Sequence, residues 1–165
     1  MSPLPAHTEE CNLSGQFDTH FIYNVLNAIE SCIMGGDTPT AQRLIQQFAT
    51  WHRVAVLTLP RAVVTLQQEW LSLKLYATLE ELRFGRKLVS GFTLEKGIDL
   101  GRIHVQSMSL QSLLSLAIQR QMKDASRKSN LIAVAITWQD GYICLVTGST
   151  RHCLEILTSP ICSKQ

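Results

Sequence analysis

Charge is scarce in this chain of 165 residues. Asp, Glu, Lys and Arg together make 17% of it, against about 25% in an average soluble domain. Fifteen basic and 13 acidic residues leave a net charge of +2, too small for a field that draws in nucleic acid or anionic lipid, and neither is expected as a partner. No apolar run approaches the ~18 residues needed to cross a bilayer, so no membrane insertion is expected. The opening MSPLPAHTEE has no basic start and no apolar stretch, which argues against a secretory leader. Cysteine lacks pattern: Cys11, Cys32, Cys144, Cys153 and Cys162 are odd in number and include no C-x-x-C pair. Free thiols in a reducing cytoplasm are expected, with no metal site. Apolar residues, by contrast, reach 45%, enough for a sizeable core and incompatible with disorder. With so few charges on the surface, part of the apolar area is expected to lie against a partner, which favours an oligomer.

The spacing predicts a helix over 16–34. At ~100° per residue, Phe17, Phe21, Val25, Ala28 and Cys32 form one apolar stripe, and Ile22, Leu26, Ile29 and Ile33 form the next. Together they cover half the circumference, wider than the stripe of an ordinary surface helix. Gly35-Gly36 ends it, and Asp37-Thr38-Pro39 caps and opens a second helix to about 57. That helix carries Ala41, Leu44, Ile45, Phe48, Trp51 and Ala55. Thr65 is placed as the cap of a third helix to 84, with Glu69 near its start and Leu66, Trp70, Leu73 and Ala77 on one face. Beyond Gly85 the period changes. Strands are expected at 88–94, 130–138, 142–146 and 153–157, with a helix at 109–124 and a hairpin turn at Asp140-Gly141. The expected fold is α+β: an antiparallel helical hairpin that pairs with a second copy into a dimeric four-helix bundle, followed by a small antiparallel sheet with helices. The expected divisions are an arm at 1–15, the hairpin at 16–62 and the α/β part at 63–165.

On the first helix Gln16, His20, Asn24, Asn27 and Ser31 fall within about 80° of one another. A histidine on such a stripe either solvates the face or serves as a nucleophile towards phosphorus, since its imidazole titrates near neutrality.

The stretch QFDTHFIYNVLNAI at 16–29 resembles the phosphoacceptor signature of sensor histidine kinases of the LytS kind, Q-I-N-P-H-F-L-F-N-x-L-N-x-I. Gln16, His20, Phe21, Asn24, Leu26 and Asn27 match in place, while Asp18 and Thr19 depart from it. Residues 64–84 resemble the family's V-x-L-x-E-E-L and Y-L-x-I-E-x-x-R-F segments through Val64, Leu66, Glu69, Tyr76, Glu80 or Glu81, Arg83 and Phe84. SMSLQSLLSLAI at 107–118 resembles L-Q-P-L-V-E-N-A-I. The resemblance covers 16 to about 147, in order.

It implies an ATPase-like second half whose nucleotide site is degenerate. The magnesium-holding Asn position is Leu116 and the neighbouring Glu position is Ser115, and an apolar side chain cannot ligate a hard cation. The adenine-binding Asp falls near Thr147, and the 15 residues after Thr150 leave no room for a lid. No cofactor and no metal are therefore expected. By the resemblance His20 is the phosphoacceptor, Asp18 orients its ring or acts as base, and Gln16, Phe17, Phe21, Asn24 and Asn27 meet the partner. The resemblance implies a cytoplasmic, homodimeric histidine phosphotransferase that exchanges phosphate with response-regulator receivers without ATP-dependent autokinase activity. The alternative is a pseudokinase that binds and blocks a response regulator or a cognate histidine kinase without chemistry.

Overall fold

A computed structural model describes residues 19–58, 61–123, 130–139, 142–147 and 150–154. The chain is α+β, with four helices and two small sheets. Helix α1 (Thr19–Met34) ends at Gly36 in the left-handed region, φ 77°. Gly36 N–H donates to the Ile33 carbonyl and Asp37 N–H to that of Cys32, a pairing that satisfies two otherwise orphaned helix-end carbonyls. Asp37 then caps α2 (Thr38–Thr58), its Oδ1 accepting from Thr40 N–H at 3.2 Å. The tight turn folds α2 back along α1.

The first helix buries Phe21, Val25 and Ile29, while Ala28 and Cys32 are half-buried. The adjoining stripe stays largely open, with Leu26 47% and Ile33 59% exposed. Along α2 the buried apolar set is Ala41, Leu44, Trp51 and Ala55, and Ile45 faces outward.

Short strand β1 (Val63–Thr65) leads into α3 (Leu66–Phe84). Thr65 caps it in a capping box: Thr65 Oγ1 accepts from Gln68 N–H and Gln68 Oε1 from Thr65 N–H. The helix is buried on most of its faces, including Leu66, Trp70, Leu73, Tyr76, Ala77 and Leu79, because α1, α2, α4 and β2 all pack against it. A 3-10 turn (Gly85–Lys87) opens β2 (Leu88–Leu94). Strand β3 (His104–Gln106) pairs antiparallel with β1, a two-stranded sheet that the sequence pattern did not disclose. Helix α4 (Ser109–Met122) and strands β4 (Asn130–Gln139), β5 (Tyr142–Thr147) and β6 (Thr150–Leu154) follow.

The four-stranded sheet runs β2-β4-β5-β6. It is mixed rather than antiparallel as expected from the sequence: β2 and β4 are parallel, the other pairs antiparallel. The physical reason is α4, which lies between β2 and β4 in the chain and carries it back to the same end of the sheet, as a parallel pair requires. The final strand starts at Thr150 rather than 153, and residues 155–157 and the Asp140-Gly141 turn lie outside the described residues. On β4, Ile132, Val134 and Ile136 are fully buried while Leu131 is 67% exposed, the period of two of a sheet with one covered face. One apolar cluster runs from Phe21 on α1 through Trp51 and Tyr76 to Ile136 on β4.

Candidate functional site

His20 stands in the first turn of α1 and is exposed. The next residue fixes it. Phe21 is 2% exposed, its ring 4.9 Å from Trp51 and 4.6 Å from Tyr76, centroid to centroid. Phe21, which the resemblance offers as a partner contact, is buried, because the helical turn that points His20 out points its neighbour into the α1–α2–α3 junction. Asn24, one turn on, reaches back with Nδ2 3.1 Å from His20 Nδ1. As placed, the amide donates to Nδ1 and the neutral ring keeps its proton on Nε2. With the amide turned over, Nδ1–H donates to Asn24 Oδ1 and Nε2 presents its lone pair. Asn27 is exposed on the same helix. Gln16, Phe17 and Asp18 lie outside the described residues, and the partner that the structure gives the ring is Asn24.

His20, Phe21 and Asn24 form one wall of a cleft of about 560 Å³. Helix α3 supplies Tyr76, Glu80, Arg83 and Phe84; α4 supplies Ser115, Ile118, Gln119 and Met122, and Lys123 follows at its C-terminal end. Tyr76, Glu80 and Arg83 follow i, i+4, i+7 spacing and so share one helix face. The Glu80–Arg83 ion pair is largely enclosed, with side chains 2% and 21% exposed. Lys123, which follows the end of α4, is on the cleft wall.

A second hollow of about 280 Å³ shares Tyr76, Ser115 and Gln119 with the first and contains Leu116. Its polar lining is Tyr76, Gln111, Ser112, Ser115 and Gln119, all neutral groups. That donor set does not fit a hard divalent cation, which is held by anionic oxygens. Among the described residues no group of three or more His, Cys, Asp or Glu stands together as metal ligands would.

Glu69, placed by the sequence near the start of α3, has a role there that the sequence did not reveal: it links α3 to α4. It is 1% exposed, and its Oε2 and Oε1 accept from Met108 N–H (3.2 Å) and Leu110 N–H (3.0 Å). It thereby caps α4, whose N-cap Met108 has φ 65° and offers no side-chain cap of its own. Trp51 Nε1–H donates to Gln111 Oε1 at 3.2 Å, tying the hairpin to the first turn of α4. Burial pushes the Glu69 carboxyl up from its ordinary 4.5 to about 7, against the lowering effect of backbone N–H groups from Met108, Leu110 and Gln111.

The family model described as histidine kinase matches residues 8–88. The sensor protein LytS of Staphylococcus haemolyticus is 30% identical over 135 residues, covering 81% of this chain and 22% of the relative. LytS of Enterococcus faecalis is 27% identical over 129 residues, 78% of this chain and 21% of the relative. The sensor histidine kinase YpdA of Escherichia coli is 22% identical over 143 residues, 87% and 24%. The chain thus spans about a fifth of the length of the curated relatives it matches. No helix among the described residues is long and apolar enough to cross a membrane.

Proposed function

We propose, from the premise that this chain is a LytS-type histidine kinase relative of two-component signalling, that it passes phosphoryl groups between His20 and the aspartate of a response-regulator receiver. The observation that carries this reading is the setting of His20: an exposed imidazole on a helix anchored through Phe21, engaged at Nδ1 by Asn24, on the wall of a cleft that also holds Arg83 and Lys123. With Asn24 Oδ1 accepting from Nδ1–H, the Nε2 lone pair attacks phosphorus. An N–P bond forms as the P–O bond to the aspartyl carboxyl breaks, and the carboxylate leaves with the electron pair. The ring proton stays on Nδ1, where Asn24 stabilises the imidazolium. The hollow around Leu116 offers neutral donors, so no ATP-dependent step is assigned to this chain, and magnesium belongs to the receiver.

The test is transfer from a receiver charged with an acyl phosphate. Label is expected on the wild-type chain and is expected to vanish in His20→Ala. Receiver binding of unchanged affinity in His20→Ala, with no label taken up by the wild-type chain or the variant, would establish the phosphate-independent blocker instead.

The chain is further proposed to be a homodimer through residues 16–57. Leu26 and Ile33 on α1 and Ile45 on α2 are about half exposed, and two hairpins pairing into a four-helix bundle would cover such a face. Light scattering at micromolar concentration is expected to give twice 18.5 kDa; a single copy would remove the bundle from this account.

A further inference from the structure

We propose that the cleft beside His20 is a phosphoryl-binding site in which Arg83 is the principal donor and Lys123 the second. The inference rests on the reading of His20 for the source of the group, while the site itself rests on Arg83. A guanidinium carries five N–H donors. Two are taken by a single oxygen, Glu80 Oε2, with Nε at 3.1 Å and Nη2 closer. The remaining three have no partner among the described residues. The group is also held from its face, its central carbon 3.8 Å from the centroid of the Phe84 ring. Glu80 is itself 2% exposed on the central helix. Arg83 is therefore a planar fork fixed on two sides, with open donors, on the wall of a cleft that it shares with the imidazole of His20.

Such a fork matches two oxygens of a tetrahedral phosphoryl group, and a fixed guanidinium loses little freedom on binding. Lys123 adds an exposed, adjustable ammonium at the end of α4. Of the charged lining residues, Arg83 and Lys123 are positive and Glu80 negative, so the cleft carries an excess of one positive charge with His20 neutral. The carboxylate aligns Arg83 without cancelling the field of the site.

The chemistry admits two sources, a phosphoryl group carried by His20 or a free phosphate, and two arms separate them. In the first, the chain is charged with phosphoramidate: an imidazole nitrogen attacks phosphorus, the P–N bond of the reagent breaks, and the nitrogen leaves with the electron pair and a proton as ammonia. The guanidinium signals of Arg83 are followed by NMR with the phosphorus signal of the product. Once the reagent and free phosphate are removed by desalting, they are expected to be shifted in the charged wild type and unshifted in His20→Ala. In the second arm, inorganic phosphate is titrated into the uncharged chain. Saturable movement of the same signals is expected, with affinity falling about tenfold in Arg83→Lys, which keeps a charge for Glu80 but lacks the fork.

Phosphohistidine at His20 with unmoved Arg83 signals, together with no response to phosphate, would overturn the site and leave the transfer reading standing. Saturable phosphate binding at Arg83 with no phosphohistidine would uphold the site, assign it to a free anion, and sink the transfer reading. The wild-type signals need no variant to fold.

Discussion

Replacing Glu69 by alanine is expected to lower the unfolding free energy by about 3–5 kcal/mol. The carboxyl accepts from two backbone N–H groups of the Met108–Leu110 corner. Each buried donor left unpaired costs ~1–3 kcal/mol, and the missing side chain leaves a void in a region where Leu66, Leu73 and Leu110 are fully buried. The loss reaches further than one helix end. Met108 has φ 65°, a conformation that disfavours a residue with a side chain by ~1–2 kcal/mol, and the Glu69 contacts hold it there. Without them the start of α4 is free to relax, and Gln111, the partner of Trp51, moves with it. Denaturant titration at pH 6, with helix content as the signal, measures the change. A loss under about 1 kcal/mol would show that another group holds the corner.

Between pH 5 and pH 8 the wild-type chain is expected to lose about 2.5 kcal/mol of stability that Glu69→Gln does not lose. The native carboxyl titrates at about 7 against an ordinary 4.5. The folded protein therefore holds this proton more tightly than the unfolded chain does. The contribution is fully present below pH 4.5 and disappears as pH rises through about 7, where the native state must carry a buried charge. The gap corresponds to about 3 kcal/mol. Glutamine cannot ionise, so its profile should be flat in this window apart from histidine titrations common to both proteins. Parallel profiles for the two chains would place the native carboxyl near its ordinary value and its charge in better-solvated surroundings.

The helices were legible because their signals are local. Gly35-Gly36 and Asp37 marked the α1–α2 turn, Thr65 the start of α3, and the switch to alternation at Leu88 the first long strand. A stripe at 3–4 spacing states that a face is buried but not what buries it. Phe21 shows the difference. Its place on the helix was readable, while its role depended on Trp51 and Tyr76 arriving from two other helices. The direction of β4 beside β2 was hidden for the same reason, since alternation along a strand is identical in parallel and antiparallel pairs.

The order of chemistry-bearing residues along the chain, the exposed histidine face of α1 and the apolar residue at position 116 were determined by the sequence alone, because each depends on residue identity and helical periodicity. Tertiary structure decided that Glu69 caps a helix 39 residues away, that Arg83 is aligned by a buried carboxylate on a cleft that His20 also lines, and that the sheet is mixed. These are pairings between distant segments, and their energies arise from desolvation and geometry that no local pattern of residues encodes.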